Sequence, residues 1–275
     1  LHGAAVELVH AGSQNQIVNT KKPPNLFACV LAPAPRYLLR LWILAGLFHR
    51  HLKGASHSFL EIGPGNGDVS VYLAGHPAIS GGMVIDRSAK SVEMLRARLR
   101  DKPAVAIACA DVRELGIESF DYVCSFEVLE HIEDDLGFMR EVRRRMKPGA
   151  YWFISVPAYM SKWQRQDEFS GHVRRYEAAE LRGKLAEAGL EVLELIDYGF
   201  PLTTLMHPFR ERFYQEDDTR SNLEKTLASG TEKRLFGAMN TRLLLLLLLP
   251  FILLQYLFGW LRQGDGFIVV ARRHE

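Results

Sequence analysis

Charge of one sign is what this chain lacks most plainly. Its 275 residues carry 34 Lys and Arg against 32 Asp and Glu, a formal net charge of +2. A protein that grips nucleic acid neutralises several phosphates with a basic surface. The composition offers no such global footprint and leaves only local basic clusters. Cysteine is scarce as well. Cys29, Cys109 and Cys124 are odd in number and lack the paired spacing of a zinc site or a disulfide framework. Scarce, unpaired cysteine fits a reducing cytoplasm. No secretory signal is legible, although a start at Leu1 rather than Met leaves room for residues upstream. What is present is a globular composition, 48% hydrophobic and 24% charged. It is enough for one large domain or two small ones with a sizeable core.

The chain is organised around Phe59 to Asp68, FLEIGPGNGD. Ser58–Ile62 reads as a buried strand, Gly63 to Gly67 as a tight loop, and Val69 onward as a helix. Glycines let a backbone pass close to a ligand, and the helix start that follows offers unpaired N–H groups and a positive dipole end. The spacing is G-x-G-x-G, not the G-x-G-x-x-G of a dinucleotide fingerprint. Alone, it also describes an ordinary strand-to-helix turn. Further strands follow in order: Gly82–Asp86, Val105–Ala108 with Asp111 behind it, Phe120–Ser125, and Tyr151–Val156 after Lys147-Pro148-Gly149. Helical stretches at Lys90–Arg100 and Asp135–Met146 alternate with them, which predicts a parallel sheet covered on both faces. Ligands of such sheets sit at the carboxyl ends of the strands. Glu61, Asp86, Asp111 and Glu127 all close or follow a strand there.

Together, EIGPGNGD, the acid of VIDRS, ADV, FDYVCSFEVLEHI and RRRMKPGAYWFISVP make the chain resemble class I S-adenosylmethionine-dependent methyltransferases. The likeness runs over about Ser58 to Leu195 plus the last ten residues. It implies a doubly wound, seven-stranded, mostly parallel α/β sheet and S-adenosyl-L-methionine as cofactor. Gly63, Gly65 and Gly67 would line its methionine half with Glu61 near its amino end. Asp86 would hold the ribose hydroxyls, and Asp111 would accept from the adenine amino group with Val112 beside the ring. Ser125, closing the fourth strand, joins the cofactor-binding set. Arg113, Arg143, Arg144 and Arg145 read as solvated or capping charges.

Glu127-x-x-Glu130-His131 carries the chemistry. On a helical turn, positions i, i+3 and i+4 share one side, so two carboxylates and an imidazole could hold a divalent cation or poise a histidine as base. Ubiquinone-pathway O-methyltransferases and small-RNA 2′-O-methyltransferases look similar here and use the triplet for a magnesium-class metal. Many class I methyltransferases carry the same turn without one, so the cation stays open. Asp167-x-x-x-Gly171-His172-x-Arg174-Arg175-Tyr176 resembles a loop of bacterial methyltransferases that tailor lipids or saccharides. It offers His172 as a second base or a fourth ligand. The plainer reading pairs Arg174 and Arg175 with Asp167 and Glu168. His131, Glu127 and His172 are therefore the catalytic candidates.

Residues 1–32 read as a loose lead-in. Pro35–Leu52 has apolar residues at helical spacing, and either packs on the domain or also floors a substrate pocket or touches lipid. His49, His51 and His57 read as solvated. Tyr176–Ala188 predicts a helix, Leu190–Ile196 the sixth strand and Gly266–Arg272 the last. The resemblance implies a hairpin between those two strands, but here Tyr198 to Arg262 intervenes. Arg220–Ala228 reads as a polar helix. Lys233–Leu249 and Phe251–Leu261 read as apolar helices broken at Pro250. Leu243 to Leu254 would span only ~18 Å, short of a ~30 Å hydrocarbon core. A re-entrant or interfacial hairpin fits better than a single span.

The expected domains are 1–57, an N-terminal segment and helix; 58–199 plus 264–275, the cofactor-binding domain; and 200–263, an apolar insertion. The expected function is O-methylation of a hydrophobic or lipid-linked acceptor by a bacterial, cytoplasmic protein, peripheral on the inner face of the membrane through Leu243 to Leu261. A metal-dependent RNA 2′-O-methyltransferase is the first rival, opposed by the near-zero net charge and the apolar insertion. A non-catalytic cofactor-binding membrane adaptor is the second, opposed by Glu61, Asp86 and His131.

Overall fold

In the computed structural model, which describes residues 22–116, 118–213, 225 and 240–274, the predicted strands form one sheet. They are β1 (His57–Ile62), β2 (Ile79–Asp86), β3 (Val105–Cys109), β4 (Phe120–Phe126), β5 (Met146–Pro157), β6 (Leu190–Tyr198) and β7 (Gly266–Arg273). Their order is β3-β2-β1-β4-β5-β7-β6. All neighbours are parallel except β7, which runs antiparallel to β5 and β6. The order reverses at β1, which lies between β2 and β4. That opens a crevice at the carboxyl ends of these strands.

Eight α-helices accompany the sheet among the described residues: α1 (Pro35–His51), α2 (Asp68–Gly75), α3 (Ala89–Arg98), α4 (Asp135–Arg144), α5 (Arg165–Ser170), α6 (Ala178–Glu187), α7 (Leu202–Phe213) and α8 (Thr241–Phe258). Successive strand residues point to opposite faces. Phe59, Tyr122 and Phe153 therefore pack under α1, α2 and α3 with Leu41, Phe48 and Leu73. Their neighbours Leu60, Val123 and Trp152 pack under α4 and α6 with Met139, Val142 and Leu185. Pro35 occupies the first turn of α1, where its missing N–H costs nothing.

Two readings need correction. The helix expected from Tyr176 begins at Ala178. Tyr176 itself is fully buried, bridges Ala158 and donates its hydroxyl to Asp135 at 2.8 Å. Long-range pairing outweighs its local helical pattern. The break expected at Pro250 is absent, because α8 runs through that residue. An interior proline costs a helix ~3 kcal/mol. Burial of Leu244, Leu248 and Ile252 against the α1 layer works against that cost. The polar helix at Arg220–Ala228, the start of Lys233–Leu249 and most of the lead-in lie outside the described residues, apart from Lys225.

Candidate active site

The glycine loop leaves β1 in left-handed backbone, with φ of 63°, 56° and 72° at Gly63, Gly65 and Gly67. At Gly67 a Cβ would lie 2.5 Å from Leu95 Cδ2, so the loop can press against α3 only as glycine. Behind it Glu61 is buried and accepts from the Ser70 hydroxyl. Burial pushes its carboxyl up to about 8. Asp86 ends β2 and accepts from Ser88 N–H at 2.8 Å and Ser91 Oγ at 2.9 Å. Burial raises its pKa against those two hydrogen bonds. An ionised carboxylate has about four acceptor sites, so Asp86 keeps capacity for a diol. Asp111 is gripped by Arg113 through Nε and Nη2 at 2.8 Å each. Hydrogen bonding to Arg113 holds its carboxyl below the usual range. Asp111 and Arg113 line an open cavity of ≈ 410 Å³ with Arg87, Cys109, Ala110 and Glu114. Val112 is buried beside them. Ser125 stands apart: it is fully buried and its hydroxyl accepts from the Trp152 indole at 3.0 Å. Its side chain therefore faces core, not crevice.

Asp68 is a feature the sequence reading missed. It is buried at the first position of α2 and accepts from Leu31 N–H (3.2 Å), Tyr37 Oη (2.8 Å) and Arg98 (2.7 Å). Arg98 also donates to Cys29 O at 2.6 Å. The segment before α1 is thereby strapped to the glycine loop. An acid in a first helical turn is a legible signal, but partners this distant in sequence are not.

The second half of the site departs from the predicted helical turn. Glu127 takes φ 57°, a left-handed conformation rare outside glycine, and Leu129–His131 forms only a short 3₁₀ turn. Glu127 is consequently turned toward α1. It accepts from Arg36 (2.8 Å), Arg40 (3.0 Å) and Ser155 Oγ (3.0 Å). Burial pushes its pKa up, but the two guanidiniums outweigh this and hold it well below the carboxylate range.

Glu130, His131 and His172 form the group instead, with one ligand-capable atom from each lying within 4.8 Å of the others. Glu130 is fully buried, and among the described residues neither carboxyl oxygen has a hydrogen-bond partner. Burial, then the Glu127 charge, raises its pKa well above normal. His131 Nδ1 lies 3.2 Å from Gly171 O. A carbonyl can only accept, so this contact assigns the proton to Nδ1 and the lone pair to Nε2. Burial, then His172, lowers the His131 pKa to about 4. His172 approaches edge-on at 4.8 Å between ring centroids. Its Nδ1 is 2.8 Å from Asp167 Oδ1 and its Nε2 is 3.9 Å from Glu130 Oε1. Of the expected loop pairs, Arg175–Asp167 forms at 2.8 Å. Arg174 goes to Asp135 at 2.8 Å, and Glu168 accepts from Trp163.

Comparison with known proteins accords with this geometry. A family model described as a methyltransferase domain matches residues 35–195. A probable S-adenosylmethionine-dependent methyltransferase of Mycolicibacterium smegmatis is 33% identical over 112 residues, covering 39% of this chain and 42% of that one. The chain thus spans less than half the length of that relative. A ubiquinone biosynthesis O-methyltransferase of Burkholderia vietnamiensis is 28% identical over 191 residues, 63% of this chain and 78% of that one. Among solved structures, phosphoethanolamine N-methyltransferase 2 of Haemonchus contortus, in complex with S-adenosyl-L-methionine, superposes with TM-score 0.57 at 18% identity. It covers 86% of this chain and 53% of that one. The [4+2]-cyclase SpnF superposes with TM-score 0.54 at 18% identity, over 86% and 80%. Such distant likenesses establish the fold only, and the cyclase shows that the fold by itself does not dictate the reaction. Family match, strand order and glycine crevice agree: the chain belongs to the methyltransferase-domain family and has the class I S-adenosylmethionine-dependent methyltransferase fold.

Proposed function

We propose that the protein transfers a methyl group from S-adenosyl-L-methionine to an oxygen of a hydrophobic or lipid-linked small molecule, and that His131 is the base. The observation that carries the chemistry is the convergence of buried Glu130 with half-buried His131 and His172, the lone pair of His131 being assigned to Nε2. S-adenosyl-L-methionine, when bound, supplies an electrophilic methyl group. The chain's own residues align the acceptor and manage its proton. In this reading His131 Nε2 accepts the hydroxyl proton, and burial keeps water away. His172, oriented by Asp167, lies against His131 as a second proton acceptor. Glu127 orients the site through Arg36 and Arg40. The same three groups also fit a divalent cation, since imidazoles hydrogen-bonded through Nδ1 present Nε2 as ligand. A cation held there would polarise the acceptor oxygen. Glu127 does not fit that ligand set, being occupied by two arginines. Mass spectrometry of a bacterial lipid extract incubated with enzyme and methyl-labelled cofactor tests the acceptor class. Label in the lipid fraction supports the proposal, and its absence at full enzyme loading removes it.

On the cofactor side, the proposal puts Glu61 near the ammonium of the methionine end and Asp86 on the ribose diol. Near pH 7 the Glu61 carboxyl, pushed up to about 8, is largely protonated without cofactor. A cation beside it favours the ionised form. Cofactor binding at pH 7 is therefore expected to release close to one proton, falling toward none above pH 9. Calorimetry in buffers of different ionisation enthalpy reads this directly, and Glu61→Gln should abolish it. The sign for stability is opposite to that of most carboxylates. A pKa raised above 4.5 stabilises the cofactor-free fold below that pH and loses its contribution as pH rises toward 8.

The lipid part of the proposal rests on α8. With the 3₁₀ turn Gly259–Leu261 it is the one described helix long and apolar enough to cross a membrane. Leu244, Leu248 and Ile252 are buried along it, while Leu246 (66%), Leu253 (62%), Leu257 (64%) and Trp260 (76%) face outward. The buried stripe runs lengthwise beside the α1 layer, which supports a helix that lies along a membrane surface while docked rather than one that crosses it. Exposed Arg242 and Arg262 flank the stretch, as suits anionic headgroups. So broad an apolar patch exceeds what soluble monomers usually leave bare. We expect the protein to float with anionic liposomes. Leu246, Leu253 and Leu257 changed together to serine should leave it folded and cofactor-binding but no longer floating. Undiminished flotation of the variant would move the contact elsewhere. The localisation proposed is the cytoplasmic face of a bacterial membrane.

A further inference from the structure

Asp265 belongs to no motif, yet it joins the two arms of the acceptor site. It is buried just before β7. Its Oδ2 is 2.9 Å from Arg36 Nε, and its Oδ1 is 3.0 Å from Arg175 Nη1. Arg36 continues to Glu127 at 2.8 Å. On the other side Arg175 continues to Asp167 at 2.8 Å, and Asp167 to His172 Nδ1 at 2.8 Å. One carboxylate thus connects α1 with the loop that carries His172. Its own backbone is fixed as well. Asp265 N–H donates to Tyr198 O at 2.8 Å, and its carbonyl accepts from Ala158 N–H at 3.1 Å.

The approach to Asp265 comes from the insertion. Between α8 and β7, Lys162 donates to the carbonyls of Gln263 and Gly264 at 2.5 Å each. Gly264 has no room for a side chain, since a Cβ there would sit 1.5 Å from Asp197 Oδ1. A buried guanidinium with one carboxylate removed must find another partner or remain uncompensated. Without Asp265, the fully buried Arg175 and the half-buried Arg36 face that choice together. Arg175 would then draw on Asp167, the group that orients His172.

We propose that Asp265 is the positioning residue that locks the α1 arm and the His172 loop into one geometry. The consequence for turnover rests on the lipid-acceptor reading above. The orientation of His172 does not. The test uses the full chain with ¹⁵N-labelled histidine. In the wild type, the Nδ1 proton of His172, bonded to Asp167, should give a downfield proton resonance, assigned by its loss in Asp167→Asn. Asp265→Asn, which keeps shape and removes charge, should broaden or abolish that resonance. Cofactor affinity should change by less than about threefold, because the glycine loop is untouched. Transfer of labelled methyl into the lipid extract should fall on the order of 10²-fold, the scale of a misplaced catalytic group. Asp265→Glu should recover part of both losses. If Asp265→Asn does not fold, Arg175→Lys keeps the charge but breaks the fork and should give the same spectral loss. A His172 resonance unchanged in either variant, with only thermal stability lowered, would make Asp265 purely structural and overturn the proposal. Failure of the wild type to label lipid would instead count against the acceptor reading and leave the spectral result standing.

Discussion

Replacing His131 by alanine is expected to lower turnover by ~10²–10⁴-fold, the usual contribution of a positioned general base. Cofactor affinity should be nearly unchanged, since His131 bonds to Gly171 O on the loop over the sheet rather than to the glycine crevice. With its pKa lowered to about 4, His131 is already neutral at physiological pH. The rate should therefore be flat near neutrality and fall only as pH approaches 4. Stability imposes a second limit. A histidine whose pKa drops from 6.5 to about 4 on folding resists protonation in the native state. The fold consequently loses stability as pH falls from about 6.5 toward 4. Rate profiles need a melting curve at each pH to separate the two. Chelation decides between base and ligand. If Glu130, His131 and His172 hold a cation, activity collapses with chelator and returns with magnesium or manganese. If they hold only a proton, chelator does nothing.

Gly65→Val is expected to abolish detectable cofactor binding. Gly65 has φ 56°, a conformation that costs an L-residue about 1–2 kcal/mol and a β-branched one more. The added side chain would also fill the space through which the backbone approaches a ligand. Asp86→Ala provides a graded companion. Losing a hydrogen bond to a charged group costs ~1.5–3 kcal/mol, an affinity drop of roughly 10- to 150-fold. Calorimetry on both variants checks the cofactor assignment. Wild-type affinity in both would remove Gly65 and Asp86 from the cofactor site.

The insertion shows where periodicity misleads. Leu243 to Leu254 is apolar on every side in sequence, and such a helix is either buried or in lipid. The structure divides it lengthwise. Leu244, Leu248 and Ile252 are core, whereas Leu246 and Leu253 are exposed. A run of identical residues carries no phase, so no pattern within it could reveal which leucines meet α1.

The sheet was legible from the chain alone. All seven strands contain the expected apolar runs, a local pattern of period and punctuation, although β2 starts earlier than read, at Ile79, and β5 at Met146, taking in Lys147-Pro148-Gly149. The carboxyl-edge acids Glu61, Asp86 and Asp111 were legible for the same reason: each sits at a fixed offset from its strand. The chemistry was legible as residue types but not as geometry. Glu127, Glu130 and His131 lie within five residues of sequence, yet a left-handed φ at Glu127 sends its carboxylate to Arg36 and Arg40 and the other two toward His172. Ser125 had the right position on its strand, but alternation turned its hydroxyl to Trp152. Asp68 and Asp265 gain their roles only from partners far away in the chain, Arg98 for one and Arg36 and Arg175 for the other. Strand and helix periods are properties of neighbouring residues. Which charges share a buried pocket depends on how whole elements pack, and only the tertiary structure decided that.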